Sequence, residues 1–222
     1  MAAKAIWLSH PLSTETPAYG GARGLTCEVA SSIQAGATAN TSRWSLPNHL
    51  GTHVDAPRHF YDRGMTITDY SSDFWIFNHP QLIEVNGDAD TIIEVADLSS
   101  AVAPESDLLL IRTGFERFRH EPYYWQSNPG LSPDIARWLR SSRPKVRAVG
   151  VDCISITARA HRSIGRDAHQ SFLNPEIDGR PVLLIEDMAL EAVSGMLSRV
   201  IVLPFRVLNC DGTPCTVLGE IA

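Results

Sequence analysis

Four short apolar runs constrain the architecture: Leu108–Gly114 (LLLIRTG), Arg147–Asp152 (RAVGVD), Pro181–Asp187 (PVLLIED) and Arg199–Phe205 (RVIVLPF). Each is rich in branched side chains, too short for a buried helix and closed by turn or polar residues, the pattern of a buried strand. Gln81–Asn86 (QLIEVN) reads the same way. Two helices are predicted. Over Ser132–Ser142, Ser132 is the N-cap, Pro133 takes the first helical position and Asp134 lies in the first turn; Ile135, Trp138 and Leu139 recur at helical spacing. Over Glu186–Leu197, Met188, Ala192 and Met196 form the expected apolar face. The terminal stretch Pro204–Ala222 reads as a hairpin turning at Asp211–Gly212. Strands alternating with few helices predict a mixed α/β domain. The 222 residues suffice for one domain, 1–222, with a sizeable core.

Charge narrows the partners. The 19 basic and 25 acidic residues leave a net charge of −6, which argues against nucleic acid or an anionic membrane. No window approaches the ~18 uninterrupted apolar residues of a membrane span. The opening MAAKAIWLSHPLS lacks the apolar stretch and cleavage site of a secretory leader, so a cytoplasmic location is expected. Cys27, Cys153, Cys210 and Cys215 lack the spacing of a paired-thiolate metal site and read as structural or incidental thiols.

Chemistry concentrates in Pro47–Phe60, PNHLGTHVDAPRHF, where His49, His53 and His59 account for three of the eight histidines and Asp55 lies among them. Imidazole nitrogens and a carboxylate oxygen suit a divalent cation such as zinc or manganese. Neither regular backbone assembles them. In a helix Asp55 points away from His49 and His53. In a strand His49 and His53 stand ~13 Å apart with parallel side chains. A bend is required between them, and Gly51 permits one. Pro57 stops a helix from Thr52 and sets the approach to His59. A zincin motif is excluded, because Leu50 stands where the first histidine should be followed by Glu.

The segment HLGTHVDAPRHF resembles the His-x-Gly-Thr-His-x-Asp-x-Pro-x-His signature of the cyclase-like metal-dependent hydrolases, a family that includes bacterial kynurenine formamidase and isatin hydrolase. The resemblance runs in order through WLSHPLSTETPAYGG, LLLIRTGF, GLSPDIARWL, AVGVDCIS and PVLLIEDMALEAV. It implies a compact α/β domain of the swivelling β/α/β type, assembled as a homodimer or homotetramer. It implies His49, His53 and Asp55 as first metal ligands and His59 as general acid/base. His169 and Glu186 match a later pair that joins Asp55 around a second cation in two-metal members, giving one or two ions per subunit. Glu186 has independent support, since a carboxylate closing an apolar run must be paired or exposed at a strand end, where ligands commonly bind. Two departures stand out. Ser155-Ile156-Thr157 lacks the acidic residue of the family's Ser-apolar-Asp pattern, and Tyr19-Gly20-Gly21 replaces Tyr-Pro-Gly. Both bear on the substrate pocket or the subunit contact.

The expected activity is hydrolysis of a C–N bond in a small amide or lactam, with Phe60, Tyr61 and Trp75 as either aromatic substrate contacts or core. The alternative is a metal-stabilised small-molecule binding protein of the same fold. His59 discriminates: an imidazole facing an open cleft favours catalysis, and one walled off by side chains favours binding. Cys153 and Ser155 follow a strand but lack a nucleophile elbow.

Overall fold

A computed structural model describes residues 4–222. The strands are β1 (Lys4–Trp7), β2 (Thr26–Ser31), β3 (Thr41–Ser45), β4 (His53–Asp55), β5 (Ile76–Phe77), β6 (Pro80–Glu84), β7 (Ile92–Ile93), β8 (Leu108–Arg112), β9 (Gly130–Leu131), β10 (Ala148–Val151), β11 (Leu183–Glu186), β12 (Leu197–Pro204) and β13 (Gly212–Ile221). The α-helices are α1 (Val95–Leu98), α2 (Tyr123–Gln126), α3 (Pro133–Ser142) and α4 (Arg162–Leu173).

Nine strands form one mixed sheet, ordered β5-β12-β13-β4-β11-β10-β8-β6, with β1 added to β13. β6, β8, β10 and β11 run parallel, whereas β4 is antiparallel to both of its neighbours, β11 and β13. Only Asn78 and His79 separate the two edge strands β5 and β6, so the sheet curls until its edges meet. The expected α/β class with a mixed sheet is what the chain adopts.

Strand alternation divides the core. Leu109, Ile111, Val149, Val151 and Leu184 face the helix-covered side with Ile135, Leu139, Ala168 and Phe172. Leu108, Leu110, Ala148, Leu183, Ile185 and Val54 face the other side with Phe77, Val200 and Val217. Burial on both faces explains why the central strands carry continuous apolar runs. Helix α3 starts as expected, with Ser132 accepting a hydrogen bond from Asp134 N and Pro133 at the first position.

The expected helix over Glu186–Leu197 does not form. Asp187 adopts φ 53°, Met188 bridges to Ser9, and Met196 is 75% exposed. Distant contacts override the local pattern here: Thr52 Oγ1 donates to the Asp187 carbonyl at 2.5 Å, and Arg119 holds the Asp187 carboxylate. A helix does form over Arg162–Leu173, where no helix was expected. It has Gly165 inside it and no side-chain cap at His161, so local signals are weak. β12 and β13 pair as a hairpin, but the reversal occupies residues 205–211, with Asn209 at φ 60°. Asp211–Gly212 is not its turn; Gly212 already belongs to β13. All four cysteines are free thiols.

Candidate active site

The site is built on β4. His53 and Asp55 lie two residues apart and share one face, while Val54 between them enters the core. Glu186, the last residue of β11, pairs in register with His53. On the other side Gly212 pairs with Asp55, which brings Asp211 alongside. Helix α4 lies over the same face and contributes His169.

His49 enters through the expected bend: Gly51 has φ 65°, and a Cβ there would collide with the Leu12 side chain. Gly51→Ala combines left-handed strain with that collision and is expected to cost ~1–3 kcal/mol of stability, checked by chemical denaturation. Pro57 opens the short 3₁₀ turn Pro57–His59 that presents His59.

All six residues singled out in the sequence come together. His49 Nδ1 lies 2.7 Å from Asp55 Oδ1. His53 Nε2 lies 3.4 Å from both Asp55 Oδ1 and Glu186 Oε2. His169 Nε2 lies 3.3 Å from Glu186 Oε1 and 3.7 Å from Asp55 Oδ2. Two candidate metal groups share Asp55. One is His49, Asp55 and His59; the other is His53, Asp55 and Glu186; within each, the ligand atoms lie within 4.8 Å of one another. This division differs from the one implied by the resemblance, which put His53 with His49.

The donor chemistry fits a cation. His53 and His169 each donate Nδ1–H to a main-chain carbonyl, of Gly51 and Gly165 respectively, at 2.8 Å. That leaves each Nε2 lone pair aimed at two carboxylates, an arrangement that requires a proton or a metal between them. Burial disfavours the Asp55 charge, but hydrogen bonds from His49 and His53 outweigh it and hold the carboxyl well below its usual range. Burial likewise opposes the Glu186 charge, yet His169 and His53 bring its pKa down to about 2. Ser155 Oγ and the Ile156 N–H also donate to Glu186 Oε1, at 3.1 and 2.7 Å. Nitrogen and carboxylate donors without a thiolate suit zinc or manganese.

Asp211 was read from the sequence as a turn residue. Its Oδ2 accepts from His49 Nε2 and His59 Nδ1, both at 2.9 Å, and its Oδ1 accepts from Asn48 Nδ2 at 2.8 Å. Burial raises its pKa, but the two histidines prevail and lower it. Gly212 next to it has a packing reason, since a Cβ there would strike the His49 ring. The Asp-Gly pair was thus a site signal that resembles a turn signal.

His59 faces an open cavity of about 580 Å³, lined also by Phe60, Ile154, Arg159 and His169. Its side chain is 30% exposed. Phe60 stacks on His169 with ring centroids 5.1 Å apart. Tyr61 donates to the Gln170 carbonyl, and Trp75 is buried in the opposite core. Thr157 and Gly20, the two departures, both line the cavity wall. Cys153 is buried, which pushes its thiol pKa well up, and Ser155 hydrogen-bonds Glu186 instead of a histidine, so neither is an activated nucleophile. No helix among the described residues is long and apolar enough to cross a membrane.

Known proteins resemble the chain in sequence and in fold. The chain is 28% identical over 220 residues to kynurenine formamidase of Sphingopyxis alaskensis, covering 98% of this chain and 99% of that one. It is 30% identical over 217 residues to cyclase-like protein 1 of Arabidopsis thaliana, covering 93% of this chain and 81% of the relative. Among solved structures, isatin hydrolase A from Labrenzia aggregata superposes with a TM-score of 0.83 at 20% identity, over 99% of this chain and 94% of that chain, a likeness of fold. The Cyclase family model matches residues 6–158, which include the whole histidine segment from His49 to His59, and the chain therefore belongs to the Cyclase family.

Proposed function

We propose that this protein is a metal-dependent hydrolase of C–N bonds other than peptide bonds, acting on a small amide or lactam of arylformamide or isatin type, with His59 as general acid/base. The observation that carries this reading is the Asn48–Asp211–His59 chain facing the cavity beside the acid–histidine cluster. Relatives named kynurenine formamidase and isatin hydrolase support it.

His49, His53, Asp55, His169 and Glu186 would hold one or two divalent cations, zinc or manganese. A bound divalent cation supplies Lewis acidity that makes water more acidic and polarises a carbonyl oxygen. His59 donates Nδ1–H to Asp211, which leaves Nε2 free as a base. As the water oxygen bonds to the acyl carbon, Nε2 takes the water's proton; as the C–N bond breaks, it returns that proton to the departing nitrogen. Asp211 holds the ring in that orientation through both steps. Phe60 and Ile154 give the cavity its apolar wall.

His59→Ala is expected to lower kcat on formanilide and isatin by ~10²–10⁴-fold. Metal content by elemental analysis should stay unchanged, which separates a base from a ligand. Unchanged turnover would sink the general-base role. Wild-type protein that binds metal yet hydrolyses nothing across a formanilide and lactam panel, with and without chelator, would favour the binding protein.

Self-association as a dimer or tetramer belongs to the same proposal. The β2–β3 hairpin leaves Val29 75% and Trp44 64% exposed, apolar surface that a second copy would cover. Sedimentation equilibrium giving only a 24.4 kDa species would exclude it.

A further inference from the structure

The cavity has a second pole. Arg159, Arg162 and Arg166 line it together with Asp55 and Glu186 of the acid–histidine cluster. Arg162, Arg166 and His169 lie at i, i+4 and i+7 along α4, so one face of that helix runs from cations at its start to the acid–histidine cluster. Arginines on an exposed helix face are ordinarily just solvated. Three features set these apart.

First, among the described residues none of the three is within ion-pair distance of a carboxylate, although the chain carries 25 acidic residues against 19 basic ones. Asp55 and Glu186 already have His53 and His169 as their near neighbours. Secondly, the opposite wall is shaped around them. Gly20, at φ 71°, leaves room for Arg159, whose Nη1 would lie 3.3 Å from a Cβ there, and Tyr19 is within electrostatic reach of Arg162 and Arg159. Thirdly, α4 starts at Arg162, so the positive end of its helix dipole lies at the same end of the cavity.

We propose that Arg159, Arg162 and Arg166 bind an oxyanion of the substrate, so that the molecule cleaved is an amide or lactam carrying a carboxylate or phosphate ~5–10 Å along the α4 axis from the metal cluster. The identity of the bond cut rests on the hydrolase reading; the anion pole does not. Neutral arylformamides then occupy only half of the recognition surface.

The test has a binding arm and a kinetic arm, both with metal-loaded protein and the binding arm also after chelation. Titration with 2-aminobenzoate, phenyl phosphate and aniline measures affinity by calorimetry. Hydrolysis of 2-formamidobenzoate, 4-formamidophenyl phosphate and formanilide measures selectivity. Wild type is expected to bind at least one of the two anions and to prefer the matching formamide by kcat/KM. The stronger of the two identifies carboxylate or phosphate. In Arg162→Gln/Arg166→Gln the anion-to-neutral ratio should fall about tenfold per arginine lost, and added salt should lower the wild-type ratio. Both arginines are exposed, so folding should persist, and Arg159→Gln gives an independent variant. Hydrolysis of all three formamides with ratios unmoved by the substitutions would overturn the anion pole and leave the hydrolase reading standing. Arginine-dependent anion binding without hydrolysis of any formamide would retain the pole and overturn the hydrolase reading. Equal affinity for anions and aniline, unchanged in the variants, would overturn the pole whatever the turnover.

Discussion

His53→Ala is expected to leave the purified protein with little bound metal and no measurable amide hydrolysis. His53 is one of two imidazoles placed between both buried carboxylates, with Nε2 3.4 Å from Asp55 and 3.4 Å from Glu186. Its ring is oriented before any ligand arrives, because Nδ1–H is committed to the Gly51 carbonyl. Altering merely the partner that orients a metal-bound histidine costs ~10–100-fold in affinity, so deleting the histidine itself should cost more than ~10²-fold. Alanine also leaves Asp55 and Glu186 facing each other with one cationic partner fewer. Elemental analysis after dialysis, followed by turnover at saturating zinc or manganese, checks the prediction. Full metal retention would remove His53 from the ligand set. Restored turnover at high metal would show that His53 tunes affinity alone.

The second large effect is on stability. Arg119→Met is expected to destabilise the fold by ~3–5 kcal/mol, the cost of stranding a buried charge. Arg119 grips Asp187 bidentately, Nε to Oδ1 at 2.8 Å and Nη2 to Oδ2 at 2.7 Å, and Tyr124 donates to the same carboxylate at 2.6 Å. Arg119 is 6% exposed and Asp187 1%, so solvent cannot take over the charge. Adding Asp187→Asn should recover much of the loss, since the stranded charge is the cause. Urea denaturation of the single and double variants measures both terms. A loss below ~1 kcal/mol in the single variant would mean that water reaches Asp187. Because Asp187 adjoins Glu186, the single variant should also weaken metal retention.

How far the sequence was legible depended on where each determinant lay. Leu108–Arg112, Ala148–Val151 and Leu183–Glu186 were readable because strands buried on both faces show it in every residue. Helix α3 announced itself through Ser132 and Pro133. Asp187 and Met188 misled because their backbone is held by Thr52 and Ser9, more than a hundred residues away in each case. Helix α4 was missed because its buried face is made of Gly165, Ala168, His169, Ser171, Phe172 and Leu173, in which the only large apolar side chains fall together at the end. At the site, the need for a bend at Gly51 could be derived from distances alone. Asp211 could not, since its meeting with His49 and His59 is created by the pairing of β13 with β4.

That pairing also bears on when the site comes into being. β4 has only three residues, and its neighbours β11 and β13 begin 130 or more positions further along the chain. The cluster therefore has no precursor in any early fragment. While the polypeptide is emerging, His53 and Asp55 wait without Glu186 or Asp211; pairing of β11 with β4 supplies the first, and closure of the last hairpin against β4 supplies the second. Metal capture is therefore expected to be a late event, so the rate at which a refolding sample takes up zinc or manganese should time the completion of the sheet.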